Sequence, residues 1–366
     1  MSSARRRAAA VGGLGASIAV GAAALNPAVR AELRRLRGFA RPLDVDAGTP
    51  TPPPLPPGRI VPVEGVGELF VRDVGGDDPA VLLLHGWGVT ADINFFQVYP
   101  ALSDAYRVIA LDHRGHGRGL RTVTPFSLED CADDAAALLA TLGIGRAVVV
   151  GYSMGGPIAL LLAHRHPEAC AALVLEATSL EFQEGLRERA LWRSLNLLEA
   201  GLRHGSGDGV VQRVLRAAVD EQPSLDPYRS WLAAEFRRGD IGAIVEAGRA
   251  LSSYDARPWA KSVRVPTAVV LTTADRLVAR RKQRSLASAL GARVFELRGD
   301  HDVPITGGDS LGSSTRAAVD WVSGLDAAAA AGSQANGRTA LASVRPLKHA
   351  ARSRPRPHGA GAGAEG

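Results

Sequence analysis

Six apolar runs of strand length mark the central part of the chain: Ala80–His85, Arg107–Asp112, Ala147–Ser153, Ala172–Glu176, Thr267–Thr272 and Arg293–Leu297. Such short apolar runs are typical of strands that are buried on both faces of a sheet. Helical segments alternate with most of them, and this alternation predicts an α/β fold with a mostly parallel sheet flanked by helices. In sheets of this class, ligands bind at the carboxyl ends of the strands.

The strand pattern stops between residues 179 and 257, where amphipathic helices follow one another. The pair Asp226-Pro227 is typical of a helix N-terminus and predicts a helix over Tyr228–Arg238. Asp240 is expected to cap a second helix over Ile241–Leu251. Both insertion points lie at the carboxyl ends of strands, so we expect an all-helical lid over the strand ends. The alternative is a set of surface helices away from the site.

The two ends of the chain differ in composition from its centre. The uncharged run Ala8–Leu25 has arginines on both sides and predicts a membrane anchor, with a cleaved export signal or a soluble arm as alternatives. A proline-rich linker follows and ends at Gly58. The predicted divisions are an anchor or signal-like segment with its linker over 1–58, a core over 59–178 and 258–325, a helical lid over 179–257, and a disordered tail over 326–366.

The net charge of +6 arises at the two ends of the chain, where arginine is concentrated, and the central region is net acidic. The basic balance therefore gives no reason to expect nucleic-acid binding by the folded part. The two cysteines, Cys131 and Cys170, lack metal-ligand spacing and are expected to be reduced thiols on helices. Neither a disulfide framework nor a zinc site is predicted.

A candidate nucleophile lies at Ser153, in the motif Gly151-Tyr152-Ser153-Met154-Gly155. The apolar run Ala147–Val150 precedes this motif, and a helical segment follows it. A G-x-S-x-G turn between a strand and a helix holds its serine exposed at the end of the sheet. The N-terminus of the following helix directs free N–H groups toward the same place, which favours a developing negative charge.

A nucleophilic serine needs a base, and the base needs an acid that orients it. His301, on a short loop after the last strand, is the predicted base. Asp275, just past the run Thr267–Thr272, is the predicted acid, with Glu176 as the alternative because it also ends a strand. His113 and His116 are weaker alternatives for the base, since both lie in a turn after another strand.

The developing oxyanion needs two N–H donors. We predict the backbone N–H groups of Met154, directly after the nucleophile, and of Trp87, in the loop that follows the run Ala80–His85. His85 is expected to brace this loop. Trp87 and Tyr152 are also predicted to contact the substrate.

These motifs together resemble the capped α/β-hydrolase family, which includes esterases, lipases, C–C bond hydrolases, haloperoxidase-like hydrolases and epoxide hydrolases. The resemblance covers Arg59 to about Leu325 and rests on Leu84-His85-Gly86-Trp87-Gly88, Asp112-His113-Arg114-Gly115-His116-Gly117, Gly151-Tyr152-Ser153-Met154-Gly155-Gly156, Ala274-Asp275-Arg276-Leu277-Val278 and Gly299-Asp300-His301. It implies the fold and a Ser-His-Asp triad. Epoxide hydrolases and haloalkane dehalogenases carry Asp at the position of Ser153, so the resemblance argues against those two activities.

The sequence therefore predicts a serine esterase or lipase-like hydrolase that cleaves an ester-like acyl bond through an acyl-enzyme. C–C bond hydrolysis and acyl transfer on the same triad are alternatives, and so is a non-catalytic binding protein of this fold. No metal or organic cofactor is implied. The expected partner is a small, partly apolar substrate. Membrane association through residues 1–41 is predicted, with a secreted or cytoplasmic location as the alternative.

Overall fold

The computed structural model of the protein describes residues 50–193 and 223–324. The predicted anchor run Ala8–Leu25 and the predicted tail over 326–366 lie outside these residues. Among the described helices, none has the length and hydrophobicity required to cross a bilayer.

Within the described residues, eight strands form one sheet. In chain order they are β1 (Gly58–Val63), β2 (Gly67–Asp73), β3 (Ala80–Leu84), β4 (Arg107–Leu111), β5 (Ala147–Tyr152), β6 (Cys170–Glu176), β7 (Thr267–Thr272) and β8 (Arg293–Leu297). Their order across the sheet is β1-β2-β4-β3-β5-β6-β7-β8, and the six strands from β3 onward are parallel. All six predicted strands are thus confirmed, and β5 lies centrally among them.

The sequence pattern missed the antiparallel hairpin of β1 and β2. β2 pairs antiparallel with β4, for example Val71 with Leu111, and β1 forms the edge of the sheet. Buried and more exposed residues alternate along both strands, with Val61, Val63, Leu69 and Val71 pointing into the core. A half-exposed hairpin lacks the continuous apolar run that reveals the other strands.

Helices cover both faces of the sheet. They are α1 (Ala91–Phe95), α2 (Tyr99–Leu102), α3 (Leu128–Thr141), α4 (Gly155–Arg165), α5 (Leu186–Arg193), α6 (Arg229–Phe236), α7 (Ile241–Ser253), α8 (Arg280–Leu290), α9 (Val303–Thr306) and a helical stretch over 309–324. Short 3-10 turns cover Pro167–Ala169, Pro223–Tyr228 and Ala260–Ser262. The α3 and α4 helices pack in one apolar cluster, whereas α1, α2 and the stretch 309–324 pack in a second cluster.

Helices α5, α6 and α7 lie in the predicted insertion between β6 and β7. The carboxylate of Asp240 accepts a hydrogen bond from the N–H of Ala243 at 2.8 Å, so the predicted cap of α7 is confirmed. The predicted cap at Asp226 is wrong: Asp226 and Pro227 lie within a 3-10 turn, and α6 begins at Arg229. This turn buries Leu225 in a third apolar cluster, which draws the chain into a tighter turn before α6.

A buried ion pair joins the insertion to the core. Glu235 on α6 is 1% exposed and pairs with the guanidinium of Arg118 at 2.5 Å. The second carboxylate oxygen of Glu235 accepts a hydrogen bond from Thr90 at 3.2 Å. Both partners lie in loops that follow parallel strands, so α6 docks on the side of the sheet where those strands end.

The last residues of the predicted proline-rich linker pack on the core. Pro53 is buried, and Leu55 packs against two of the apolar clusters. The carbonyl oxygens of Pro56 and Pro57 accept hydrogen bonds from Arg72 and from the N–H of Asp73. The two cysteines are buried free thiols, but Cys170 begins β6 rather than lying on a helix as predicted.

Candidate active site

Ser153 occupies a strained turn at the carboxyl end of β5. Its φ of 52° is in the left-handed region, which is unfavourable for a residue with a side chain. The turn closes because Gly151 and Gly155 have no Cβ: one at Gly151 would collide with the carbonyl of Gly155, and one at Gly155 with the carbonyl of Leu84. The N–H of Ser153 donates to the carbonyl of Glu176 at 2.9 Å, which ties the turn to β6.

His301 bridges the two other predicted members of the site. Its Nε2 lies 2.9 Å from Ser153 Oγ, and its Nδ1 lies 2.9 Å from Asp275 Oδ2. The His301 side chain is 17% exposed and that of Asp275 is fully buried, so solvent reaches the base but not the acid. The three residues are far apart in the chain and meet because β5, β7 and β8 end at the same edge of the sheet.

The Asp275 carboxylate is held by several donors besides His301. Oδ1 accepts hydrogen bonds from the N–H groups of Leu277 and Val278, and Oδ2 accepts one from Thr272 at 2.7 Å. Burial alone would raise the pKa of Asp275, but the hydrogen bonds and the attraction of His301 outweigh it and hold the pKa below its usual value. Asp275 is therefore ionised and fixed in place at neutral pH.

Glu176, the alternative acid, lies apart from this arrangement. It is fully buried at the end of β6, and its Oε1 accepts a hydrogen bond from Thr315 at 2.7 Å. Among the described residues, Oε2 has no partner and neither oxygen bonds His301. Burial raises the pKa of Glu176 to about 8, so this carboxyl is neutral at pH 7 and unsuited to orient a cationic imidazole.

The two predicted oxyanion donors belong to different parts of the chain, the turn of Ser153 and the loop after β3. Met154 follows Ser153 directly at the N-terminus of α4. Trp87 follows Gly86, where a Cβ would come within 3.3 Å of the Ser153 Cβ. The N–H of Gly86 itself donates to the side chain of Asn94 at 2.7 Å. Within the described residues, the N–H groups of Trp87 and Met154 have no partner, so both are available to an oxyanion.

The side chains of Trp87 and Tyr152 have other contacts. The indole of Trp87 donates to the carbonyl of Ile244 on α7 at 2.6 Å, and its ring lies 5.8 Å from that of Trp192. Tyr152 is 2% exposed, and its hydroxyl donates to the carbonyl of His301 at 2.8 Å. The contacts that the structure gives this side chain are those of the second apolar cluster and of His301, so contact of Tyr152 with substrate stays a prediction.

Three buried histidines surround the loop that carries Trp87. His85 Nδ1 donates to the carbonyl of Gly86 at 2.7 Å, and its Nε2 accepts from the N–H of His113 at 2.9 Å, so His85 contacts the loop that it was expected to brace. Burial lowers the pKa of His85 to about 4 and that of His116 to about 3. Neither His113 nor His116 bonds Ser153, so the structure does not bring these alternative bases to the site.

The described residues include no group of three or more His, Cys, Asp or Glu side chains arranged to hold a metal ion. The geometry is that of an α/β protein with a nucleophilic serine at the end of a central strand.

Comparison with known proteins agrees with this class. Residues 79–305 match the model of the alpha/beta hydrolase fold family, and the chain belongs to that family. A pimeloyl-[acyl-carrier protein] methyl ester esterase from Chromobacterium violaceum is 31% identical over 229 residues, which cover 62% of this chain and 87% of that protein. A 2-(acetamidomethylene)succinate hydrolase from Mesorhizobium japonicum is 29% identical over 253 residues, 66% of this chain and 84% of that protein.

Solved structures give the same result. The enol-lactonase from Burkholderia xenovorans has a TM-score of 0.61 and 26% identity, and the match covers 70% of this chain and 98% of that one. An esterase from Thermogutta terrifontis has a TM-score of 0.60 with 20% identity, over 73% and 99% of the two chains, and supports the fold alone. The named relatives are esterases and other hydrolases, which supports hydrolase activity for this chain.

Proposed function

We propose that this chain is a serine hydrolase that cleaves an ester-like acyl bond through Ser153, His301 and Asp275. The observation that carries the proposal is the position of one imidazole, with Nε2 and Nδ1 each 2.9 Å from a partner oxygen of Ser153 and of Asp275. A serine, a base and an orienting carboxylate in this sequence of contacts are what nucleophilic acyl transfer requires.

In the first half-reaction, Ser153 Oγ attacks the substrate carbonyl while His301 Nε2 takes its proton. The carbonyl oxygen becomes an oxyanion, and the N–H groups of Trp87 and Met154 donate to it. Asp275 accepts from Nδ1–H, which fixes the tautomer and stabilises the imidazolium. His301 then gives the proton to the leaving alcohol, and the acyl group remains on Ser153.

In the second half-reaction, water takes the place of the alcohol. His301 accepts a proton from the water as it attacks the acyl carbonyl, and the same two N–H groups stabilise the second oxyanion. Collapse of this intermediate returns the proton to Ser153 Oγ and releases the acid. Every proton transfer thus passes through one nitrogen, His301 Nε2, which lies within reach of the nucleophile.

The names of two similar proteins favour an ester over other acyl bonds. A methyl ester esterase and an enol-lactonase are both named for hydrolysis of ester-type bonds. We propose a small, partly apolar ester as the substrate, since the predicted oxyanion loop carries the large, partly buried side chain of Trp87. C–C hydrolysis and acyl transfer would use the same residues and differ in the bond broken or in the acceptor.

The test is the variant Ser153→Ala, with a fluorophosphonate probe and short-chain p-nitrophenyl esters. We expect wild-type protein to be labelled at Ser153, because the phosphorus bonds to an activated Oγ and fluoride leaves. The variant should fold normally, resist labelling and lose turnover by about 10⁴-fold or more. Labelling of another serine, or ester hydrolysis that survives the change, would refute the assignment.

We also propose that residues 1–41 attach the enzyme to a membrane. The support is the uncharged run Ala8–Leu25 and its arginine flanks, which favour contact with anionic lipid. The full chain should sediment with membranes and need detergent for release. A truncated chain should begin at Pro50 rather than Arg59, because Leu55, Pro56 and Pro57 contact the core. Full-length protein that remains soluble with an intact N-terminus would overturn this proposal.

A further inference from the structure

Tyr152 lies directly before the candidate nucleophile but on the opposite face of β5. Its side chain belongs to the apolar cluster that contains Val150 and Leu297, and only 2% of the residue is exposed. In this setting a buried hydroxyl requires a hydrogen-bond partner. That partner is the main-chain carbonyl of His301, 2.8 Å away.

The contact joins the end of β5 to the loop that follows β8. Ser153 follows β5, whereas His301 lies on the loop after β8, and two strands, β6 and β7, lie between β5 and β8 in the sheet. The two rings, Tyr152 and His301, are tilted by 53° with centroids 5.7 Å apart. The hydroxyl therefore fixes the backbone of His301, and the aromatic ring limits where its imidazole can lie.

The other polar main-chain atom of His301 is held from a different side. Its N–H donates to Asp300 Oδ1 at 2.7 Å, and the same oxygen accepts the N–H of Arg276 at 2.9 Å. Asp300 thus links the base to the loop of Asp275, and Tyr152 links it to the strand of Ser153. Among the described residues, no other donor reaches the His301 carbonyl.

We propose that Tyr152 is a positioning residue for His301, whose hydroxyl sets the distance between the base and Ser153 Oγ. This inference rests on the proposed function, because it assigns Tyr152 to the working of the same three residues. Burial keeps the pKa of Tyr152 above its usual value, so the hydroxyl is a donor at every pH at which the enzyme would be assayed. Loss of the hydroxyl leaves the carbonyl unpaired and frees the loop to shift.

A shift of the base affects the chemical step more than substrate binding. Displacement of a catalytic group by about 1 Å can cost about 10²-fold in rate. The Tyr152 hydroxyl is buried in the second apolar cluster and bonded to the His301 carbonyl, so its removal should change the affinity for an ester little. The proposal therefore predicts a loss in kcat with little change in KM, whereas a substrate-contacting tyrosine would change KM.

The experiment compares Tyr152→Phe with Tyr106→Phe in the full-length protein. Tyr106 is the matched control, because its hydroxyl also donates a single hydrogen bond, to Asp320 at 2.7 Å, within the same apolar cluster but away from the site. Both variants delete one oxygen atom. Thermal unfolding is recorded for each, so that kinetics are measured on folded protein. The readouts are kcat and KM on a p-nitrophenyl ester and the rate of fluorophosphonate labelling.

We expect Tyr152→Phe to lower kcat and the labelling rate by about tenfold, with KM within about threefold of wild type. Tyr106→Phe should change all three by less than about twofold, even if both variants lose similar stability. A loss in Tyr152→Phe below about fivefold, or one carried by KM, would overturn the proposal.

Two further variants separate this inference from the proposed function. Ser153→Ala and His301→Ala should abolish labelling if the proposed function is right. If both abolish it and Tyr152→Phe behaves as wild type, only the positioning role fails. If either variant is still labelled, the proposed function fails first and the role of Tyr152 falls with it.

Discussion

The side-chain oxygen of Asn94 accepts the N–H of Gly86 at 2.7 Å, and this contact determines which N–H groups can face an oxyanion. A Cβ at Gly86 would come within 3.3 Å of the Ser153 Cβ, so this loop passes close to the nucleophile. The N–H of Gly86 is directed toward Asn94, whereas the next N–H, that of Trp87, has no partner among the described residues. Asn94 is 3% exposed, so this orientation is fixed by the core rather than by solvent.

Asn94→Ala should therefore impair catalysis without contacting substrate. Without its acceptor, the Gly86 N–H is free to turn and the loop loses the orientation that presents Trp87. We expect kcat to fall by about tenfold or more with a small change in KM, since removal of a full oxyanion donor costs about 10²-fold to 10³-fold. The control is Gln97→Ala, which removes a nearby amide that bonds the carbonyl of Ile305. Equal effects of the two variants would contradict a specific role for Asn94.

Asp275→Asn and Glu176→Gln should differ sharply in activity. The carboxylate of Asp275 bonds His301 at 2.9 Å. The amide of asparagine at this position would favour the wrong tautomer of His301, so we expect a loss of about 10⁴-fold in kcat. Glu176 bonds Thr315 instead, and glutamine preserves that acceptor, so Glu176→Gln should stay within about threefold of wild type. Steady-state kinetics on one ester decide this. The reverse ranking would move the acid to β6.

The strands β3 to β7 could be predicted because each is apolar and buried along most of its length, as expected of strands covered on both faces. β8 is a more exposed strand that contains Arg293 and Glu296, and its position after a helical segment supports its prediction. The β1–β2 hairpin could not be predicted, because its one exposed face interrupts the pattern at Glu68 and Arg72. The cap at Asp226 failed for a tertiary reason: burial of Leu225 extends the turn beyond the local signal. Local patterns thus predict an element well where its burial is uniform.

The candidate site shows the same division. Ser153, Asp275 and His301 can be selected from the sequence because each follows a recognisable strand in the expected order. The contacts of Asn94 and Tyr152 cannot, since they join residues 8 and 149 positions apart through packing alone. Period-2 alternation from Val150 would have indicated that Tyr152 shares the face of β5 that carries Val150.

Glu176 should make the folded protein less stable as pH rises above neutral. Burial raises its pKa from 4.5 to about 8, so between these values the folded state holds a proton that the unfolded state has released. The free energy of unfolding should fall as pH rises through this window, by at most about 1.4 kcal/mol per pH unit from this group. Because the glutamine of the Glu176→Gln variant cannot titrate, the free energy of unfolding of the variant, measured with urea, should increase relative to that of wild type as pH rises.

The control is Glu168→Gln, which changes an exposed carboxylate. Parallel curves would show that Glu176 is ionised in the folded protein.

The cluster of His85, His113 and His116 should make the folded protein less stable as pH falls. The rings of His113 and His116 lie 4.3 and 5.4 Å from that of His85, and all three residues are at most 1% exposed. Burial, with mutual repulsion of the rings, lowers the pKa of His113 well below its usual value of 6.5. Its two ring nitrogens have no hydrogen-bond partner among the described residues. A protonated His113 in the folded protein would therefore lose its hydration without gaining a hydrogen bond that compensates for it.

His113→Leu is therefore expected to weaken the acid sensitivity of the fold. As pH falls below 6.5, the unfolded chain takes up protons that the folded chain excludes, and wild type loses stability by up to about 1.4 kcal/mol per pH unit for each buried imidazole. Leucine fills a similar volume and cannot be protonated. In urea unfolding at a series of pH values, the free energy of unfolding of the variant should increase relative to that of wild type as pH falls.

The control is His164→Leu, which removes an exposed imidazole that stacks on Trp259. If His113→Leu differs from wild type by the same free energy of unfolding at every pH, His113 has the same pKa in the folded and unfolded chain, and the account of the cluster is wrong.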